Sequence, residues 1–294
     1  RRAPDDAGFD KMPARVREWW PTLLVVACAT LVGLLMIERL FNRMTFQPHP
    51  GEPAAELGLA NSVEDVWFDT DDGVRLHAFY LHRPGADRVV LMFHGNAGNA
   101  THRLPFAVAL ADLGVSVLVP DYRGYGYSGG QPSEAGLYRD GHAAWRYLTE
   151  TRGYAPDRIV VMGRSLGGAV SIELLTRVDA AGLVLISTLR SARAMARSMG
   201  LGLLAPFVGE RLDSERRIPS LTEPLLLFHG EDDEIVPVDH GQTLYERARH
   251  PKTLELIPGA RHNDIIEVAG SRFWEPLSDF LDRVAPPTPL SVSP

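Results

Sequence analysis

The pentapeptide Gly163-Arg164-Ser165-Leu166-Gly167 constrains the fold of this chain more than any other segment. It follows the apolar run 159–162, which is typical of a buried strand, and precedes a helix-like stretch at 168–177. A G-x-S-x-G turn between a strand and a helix is sharp and strained, and it exposes the serine hydroxyl. The next backbone N–H, on Leu166, then points toward an oxyanion at the helix N-terminus. The alternative is a structural serine in a tight glycine turn.

Apolar runs and helix-like stretches alternate through most of the chain, which predicts an α/β fold with a largely parallel sheet covered on both faces. Residues 67–81 instead predict a hairpin at the antiparallel edge of the sheet, because Asp-Gly stands between two strand-like runs. The remaining strands are expected near 88–93, 116–119, 159–162, 183–187, 225–229 and 253–257. Helices are expected near 101–113, 134–152, 166–177, 239–249 and 271–284.

A serine nucleophile needs a base, and the base needs a carboxylate that orients it. His262 lies in a loop after the strand-like run 253–257, so it can reach back to Ser165. Taken alone, His262 is equally consistent with an exposed loop histidine. Four acidic residues follow the strand-like run 224–230, and chemistry alone does not choose among them. They are Glu231, Asp232, Asp233 and Glu234.

Small residues follow the strand-like run 88–93 and let the backbone turn sharply toward the same edge of the sheet. We expect the N–H of Asn96 to be the second oxyanion donor. His94 and His229, each in a Phe-His-Gly context, are predicted to be packed, hydrogen-bonded turn histidines rather than catalytic ones.

From about residue 66 to 284 the chain resembles the α/β-hydrolase superfamily, and within it the compact membrane-anchored serine hydrolases that include depalmitoylating and lysophospholipid-cleaving members. The acid of that family stands three positions after the glycine of His-Gly, so the resemblance implies Asp233 rather than Asp232 as partner of Ser165 and His262. It implies a structural role for the block 121–129. The resemblance rests on blocks 93–99, 121–129 and 163–168, on His229-Gly230 with Asp233 and Val236-Pro237, and on Gly259 with His262.

Lids in this fold are usually inserted after the sixth strand, which places a short lid between Ser187 and Pro219. Its apolar residues are consistent with an acyl-chain groove or with packing of the lid on the core. Its basic residues are consistent with lipid-phosphate contacts or with a solvated face. The apolar set includes Met195, Met199, Leu201, Leu203, Leu204, Pro206, Phe207 and Val208, and the basic set is Arg190, Arg193, Arg197 and Arg211.

Residues 19–37 carry no charge and form a helix of about 28 Å, close to the ~30 Å hydrocarbon core of a bilayer. Trp19 and Trp20 lie at one end, where interfacial tryptophans occur. The alternatives are a buried core helix, a cleaved signal peptide and, at 25–28, a lipoprotein cleavage box. We predict a transmembrane anchor at 19–41.

The charged flanks of this anchor predict its orientation. Five basic residues precede the uncharged segment 19–37 and two follow it closely, so the positive-inside rule places the catalytic part on the non-cytoplasmic side of an inner or plasma membrane. The five are Arg1, Arg2, Lys11, Arg15 and Arg17, and the two are Arg39 and Arg43. The expected organisation is an N-terminal segment at 1–18, the anchor, a linker at 42–62, the catalytic domain at 63–284 and a disordered tail at 285–294.

Composition narrows the function. A net charge of −7 without a basic cluster in the catalytic part argues against nucleic acid as a partner, and the single Cys28 excludes an intrachain disulfide. We expect no cofactor and no metal, and the sequence does not indicate an oligomeric state. The prediction is a membrane-anchored serine hydrolase that cleaves carboxylic esters or thioesters, including lipid-like ones, through an acyl-enzyme. The alternatives are a serine peptidase or amidase and a non-catalytic interaction protein of the same fold.

Overall fold

The computed structural model describes residues 14–54, 63–203 and 205–288, in two compact units that divide after Thr45. The first unit contains one described helix, α1 (Ala14–Thr45). Within α1, Thr22–Thr45 is long and apolar enough to cross a membrane, with a mean hydropathy of 2.2. This helix includes the predicted anchor at 19–41 and continues four residues further.

The second unit is organised around one eight-stranded sheet. In spatial order its strands are β10 (Lys252–Ile257), β9 (Leu225–Gly230), β8 (Gly182–Ile186), β7 (Ile159–Arg164), β4 (Val89–Phe93), β6 (Ser116–Pro120), β3 (Arg75–Leu81) and β2 (Glu64–Asp69). The strands from β10 to β6 run parallel, whereas β2 and β3 are antiparallel and form one edge. A separate parallel pair joins β1 (Gln47–Pro48) to β5 (Ala97–Gly98).

Helices connect the strands in the order expected for a parallel sheet. They are α2 (Leu104–Ala111), α3 (Glu134–Arg146), α4 (Leu166–Leu174), α5 (Ala192–Ser198), α6 (Ala205–Val208), α7 (Ser214–Arg217), α8 (Val238–Arg247), α9 (Ile265–Ala269) and α10 (Ser271–Val284). The predicted α/β fold, with its mostly parallel sheet and its antiparallel edge hairpin, is therefore confirmed. The short lid corresponds to the segment that carries α5, α6 and α7.

Both faces of the central strands are buried. Alternate residues such as Val160 and Met162 share a core cluster with Leu104 of α2 and Phe273 of α10. Their neighbour Val161 points to the opposite face, because side chains alternate along a strand, and it is buried there as well. Burial on both faces explains why these strands are continuous apolar runs in the sequence.

Two predicted boundaries differ from the structure. Of the predicted linker 42–62, residues 42–45 belong to α1, and Gln47–Pro48 pairs with β5, so this part is tied to a neighbouring strand. Residues 55–62 lie outside the described residues. Of the predicted disordered tail, Ala285 is buried and its carbonyl accepts a hydrogen bond from Arg88, while Thr288 donates to Asp87. Residues 289–294 lie outside the described residues.

Candidate active site

Ser165 occupies a strained turn between β7 and α4. Its backbone has φ 53° and ψ −116°, a conformation that residues other than glycine rarely adopt. The turn requires small neighbours: a Cβ atom on Gly167 would lie 2.1 Å from the carbonyl oxygen of Phe93, and one on Gly163 would lie 2.4 Å from that of Gly167. The glycines of the pentapeptide are therefore needed for the close approach of α4 to the strands.

Backbone hydrogen bonds hold this turn on both sides. The N–H of Ser165 donates to the carbonyl of Ile186 at the end of β8, with an N···O distance of 2.9 Å. The carbonyl of Ser165 accepts from the N–H of Gly168 at 3.1 Å. Since Leu166 is the first residue of α4, its own N–H has no acceptor inside the helix and is available at the helix N-terminus.

Asp233 and His262 form a buried hydrogen-bonded pair. Asp233 follows β9 and accepts, through Oδ2, from Nδ1 of His262 at 2.8 Å. Its Oδ1 accepts from the N–H groups of Ile235 at 3.0 Å and Val236 at 2.7 Å. Because the carboxylate accepts a hydrogen bond from Nδ1–H, the proton of a neutral His262 ring stays on Nδ1 and the Nε2 lone pair remains free to accept a proton. This is the tautomer that a general base requires.

The environment keeps Asp233 ionised. Burial acts to raise the pKa of this carboxyl, but the hydrogen bond from His262, the positive charge His262 can carry and the N–H of Val236 outweigh it. The pKa of Asp233 is therefore below its ordinary value. Of the four candidate acids, Asp233 is the buried one, whereas Glu231, Asp232 and Glu234 are exposed.

Arg164 ties the loop of His262 to the turn of Ser165. Its Nη2 donates to the backbone carbonyl of His262 at 2.8 Å, and it directly precedes Ser165 in the chain. Ser165 and His262 are both buried, and no hydrogen bond joins their two described side chains. Such bonds are often long before substrate binds. The sequence analysis gave Arg164 no role, since the second position of the pentapeptide carries no distinguishing signal.

The loop after β4 also lies against the serine turn. A Cβ atom on Gly95 would be 3.6 Å from Cβ of Ser165. The carbonyl of Asn96 accepts from the Tyr125 hydroxyl at 2.8 Å and from the Gln47 N–H at 3.1 Å. These bonds hold the residue whose N–H is the predicted second oxyanion donor.

The block 121–129 supplies another tether to this loop. The hydroxyl of Tyr122 donates to the carbonyl of His94 at 2.9 Å. The Asp121 carboxylate accepts from the N–H of Ala100 at 2.7 Å and is paired with His77. The resemblance implied a structural role for this block, but the sequence did not indicate which loop these residues hold.

His94 and His229 are both fully buried beside the site. Nδ1 of His94 donates to the carbonyl of Gly95 at 2.7 Å, and Nε2 of His229 donates to the carbonyl of Val236 at 2.8 Å. Burial lowers the pKa of His94 to about 4 and also lowers the pKa of His229. Both rings are therefore neutral near pH 7 and stabilise the loops that surround Ser165 and Asp233.

Among the described residues, no group of three or more His, Cys, Asp or Glu side chains is arranged to hold a metal ion. The five residues named in the sequence analysis, which are Ser165, Asp233, His262, Asn96 and Leu166, all lie in segments that follow β4, β7, β9 and β10. The structure thus brings their loops together at the carboxyl edge of the sheet.

The chain is similar to known proteins in sequence and in fold. The family described as serine aminopeptidase S33 (Hydrolase_4) matches residues 84–214 and 201–269. The Mycobacterium tuberculosis protein Rv2307c is 34% identical over 268 residues, which cover 90% of this chain and 95% of that protein. The alpha/beta hydrolase domain-containing protein WAV2 of Arabidopsis thaliana is 34% identical over 262 residues, which cover 80% and 83% of the two chains.

Among solved structures, the Pyrococcus furiosus esterase Pf2001 superimposes with a TM-score of 0.67 at 26% sequence identity. The alignment covers 81% of this chain and 98% of the esterase. The family match spans more than half of the chain and includes the turn of Ser165, and the relatives match over most of their length. The chain therefore belongs to the serine aminopeptidase S33 family of α/β-hydrolases.

Proposed function

We propose that this protein is a serine hydrolase that cleaves carboxylic ester or thioester bonds, with Ser165 as nucleophile, His262 as base and Asp233 as the acid that orients His262. The observation that carries the proposal is the Asp233–His262 pair, whose loop is fastened by Arg164 next to the strained Ser165 turn. The likeness to the esterase Pf2001 and the membership in a hydrolase family support the same reaction class.

The proposed reaction proceeds in two halves. His262 Nε2 takes the Ser165 hydroxyl proton as Oγ attacks the acyl carbonyl carbon, and the N–H groups of Leu166 and Asn96 bind the oxyanion. The carbon–oxygen or carbon–sulfur bond then breaks, and His262 returns the proton to the departing alcohol or thiol. Water, deprotonated by His262, attacks the acyl-enzyme and releases the carboxylic acid and Ser165.

The test is fluorophosphonate labelling of the full chain, followed by hydrolysis of p-nitrophenyl esters of graded acyl length. Ser165→Ala should abolish labelling and lower turnover on the order of 10³-fold or more, because covalent catalysis is lost while oxyanion binding persists. Ser220→Ala changes an exposed serine on the same chain and should leave both unchanged.

A Ser165→Ala variant that keeps a tenth of the wild-type turnover contradicts the assignment. Matched thioester and amide substrates with the same acyl group extend the test to the leaving group. Faster release from the amide than from the ester would favour the peptidase activity that the family description names. Absence of labelling in a folded wild-type chain would favour a non-catalytic interaction protein.

We further propose that α1 anchors the protein as a single membrane span, with the catalytic unit on the non-cytoplasmic side. The described side chains of Thr22–Thr45 are largely exposed, and they include large apolar ones such as Val25 and Leu31. A helix of this length and hydropathy loses free energy when it leaves hydrocarbon for water. The basic residues that precede the span support the orientation.

The anchor is tested by alkaline carbonate washing of membranes that contain the full chain. We expect the wild-type protein to stay in the membrane pellet, whereas Val25→Arg with Leu31→Arg places two charges within the span and should release a larger fraction. Protease added from outside the cell membrane should cut the catalytic unit. Release of intact wild-type protein by carbonate would contradict the anchor, and protection from external protease would reverse the topology.

A further inference from the structure

The lid exposes an unusual group of large apolar side chains at its tip. Met199 is 64% exposed, Leu203 is 93% exposed and Phe207 is 69% exposed. They lie on and between α5 and α6, two short helices that pack against each other. Isolated exposed apolar residues are common, but several within nine residues indicate a surface that meets an apolar partner. We call residues 199–203 and 205–207 the lid tip.

Two arginines without acidic partners lie beside the lid tip. Arg193 and Arg197 are one turn apart on α5, where two like charges destabilise a helix. Among the described residues, neither guanidinium has a carboxylate within ion-pair distance, and Nε of Arg193 is buried without a hydrogen-bond acceptor. The N–H groups of these two guanidinium groups can therefore donate hydrogen bonds to an anionic group of another molecule.

Both arginines line one cavity of about 290 Å³. The other three arginines in its wall face carboxylates: Arg216 pairs with Glu210, Arg247 with Glu215 at 2.9 Å, and Arg190 approaches Glu215 at 3.8 Å. With five arginines against three carboxylates, the cavity wall carries two excess positive charges. This local charge is opposite in sign to the net charge of −7 of the whole chain.

We propose that the lid tip and this cavity form a docking surface for a membrane that contains anionic phospholipid. The apolar side chains of the tip enter the interfacial region of the bilayer, and Arg193 and Arg197 bind lipid phosphate groups. Apolar residues flanked by arginine are the pattern by which protein surfaces bind anionic bilayers, and each added arginine strengthens that attraction.

The lid begins at the edge of the sheet that carries the candidate active site. The lid begins directly after β8, whose last residue, Ile186, accepts the hydrogen bond from the N–H of Ser165. Docking by the lid would therefore turn this edge toward the lipid and give membrane-borne acyl chains a short path to Ser165. The inference extends the proposed membrane attachment by naming the surface and the lipid charge it needs.

The experiment uses the full chain and places a fluorescent probe at the lid tip. Leu203→Cys in a Cys28→Ser background is labelled with the environment-sensitive dye NBD and reconstituted in phosphatidylcholine vesicles with or without phosphatidylglycerol. Brominated acyl chains in the same lipids quench a probe that enters the bilayer. The matched control is Asp157→Cys, an exposed site at the start of β7 on the opposite edge of the sheet.

We expect NBD at position 203 to shift to shorter wavelength and to be quenched in the anionic vesicles, while the probe at 157 is not. Arg193→Gln with Arg197→Gln should lower the ratio of docked to undocked lid by about 30-fold, as two arginine–phosphate contacts are lost. Arg283→Gln changes an exposed arginine near the end of α10, which packs on the first residue of β8 at the opposite edge, and should leave the ratio unchanged.

Three outcomes would overturn the proposal. They are an unquenched probe at 203 in anionic vesicles, equal quenching in neutral and anionic vesicles, and a blue shift that brominated lipid does not quench, which would indicate contact with another protein copy. Hydrolysis of a soluble ester, measured in the same vesicles, should be unaffected by the arginine changes. If the wild-type chain does not hydrolyse the soluble ester, that result contradicts the proposed reaction. The docking measurement does not depend on hydrolysis and remains a separate test.

Discussion

The loops that carry the candidate catalytic residues and the lid that carries the exposed tip both begin at the carboxyl edge of the sheet, but they differ in how they are held. Ser165, Asp233 and His262 are buried, and their loops are joined through the Arg164–His262 carbonyl contact and the Asp233–His262 hydrogen bonds. The lid tip, in contrast, leaves Leu203 almost fully exposed. The contrast supports the two proposals, in which the catalytic groups are held within the chain and the lid tip docks on a membrane.

Replacement of the buried Asp233 carboxylate should have a larger effect on ester turnover than any change to the lid. Asp233→Asn should lower ester turnover on the order of 10³–10⁴-fold, because an amide cannot hold the His262 tautomer or stabilise the imidazolium. Asp232→Asn is the matched control: it changes the exposed neighbour and should keep turnover within about twofold of wild type. Steady-state hydrolysis of a soluble ester provides the measurement.

Equal losses at the two positions would show that the neighbouring acids act through the charge of the loop rather than through the specific contact of Asp233. A larger loss at Asp232 would reverse the assignment. Fluorophosphonate labelling of both variants separates a lost nucleophile from a lost fold, since a folded Asp233→Asn chain keeps Ser165 and should still label slowly.

The elements that the sequence predicted well are those specified locally. The strands were evident because burial on both faces makes them continuous apolar runs. The Ser165 turn was evident because its pentapeptide stands between such a run and a helix-like stretch, although its Gly167 is required by the approach of Phe93 on β4. The choice of Asp233 among four neighbouring acids needed the family resemblance, because the distinction depends on a contact with His262 that lies 29 residues away in sequence.

The features that the sequence did not predict depend on distant contacts of single groups. Arg164 reaches the carbonyl of a residue 98 positions away, and Tyr122 and Tyr125 hold the loop after β4 from 28 and 29 positions away. The two-residue pairing of Gln47–Pro48 with β5 is too short for a periodic signal. Composition also left open whether the lid residues are packed or exposed, which only the fold decides.

His240 joins α8, which follows the loop of Asp233, to the lid helix α5. It belongs to α8, is fully buried, and accepts through Nδ1 the N–H of Arg190, which precedes the lid helix α5, at 3.2 Å. Its Nε2 lies 3.2 Å from the hydroxyl of Ser198 at the end of α5. With Nδ1 as acceptor the neutral ring carries its proton on Nε2, and burial lowers the pKa of His240 to about 4.

The smaller effect we expect is a pH dependence of stability that this histidine contributes. Between its unfolded pKa of about 6.5 and its folded pKa of about 4, the unfolded chain binds a proton that the native chain does not, so the free energy of unfolding falls as the pH falls through this range. The contribution is fully present above about pH 6.5, and its loss totals roughly 3 kcal/mol.

His240→Gln should therefore flatten the dependence of the unfolding free energy on pH by up to about 1.4 kcal/mol per pH unit in that range, whatever its effect at neutral pH. The measurement is urea unfolding of the full chain in nonionic detergent at a series of pH values. His250→Gln replaces an exposed histidine and should leave the slope as in wild type. If the unfolding free energy of His240→Gln has the same slope against pH as wild type, the contact of His240 with the lid does not depend on a neutral ring. The loss of stability in acid would then come from other buried histidines such as His94.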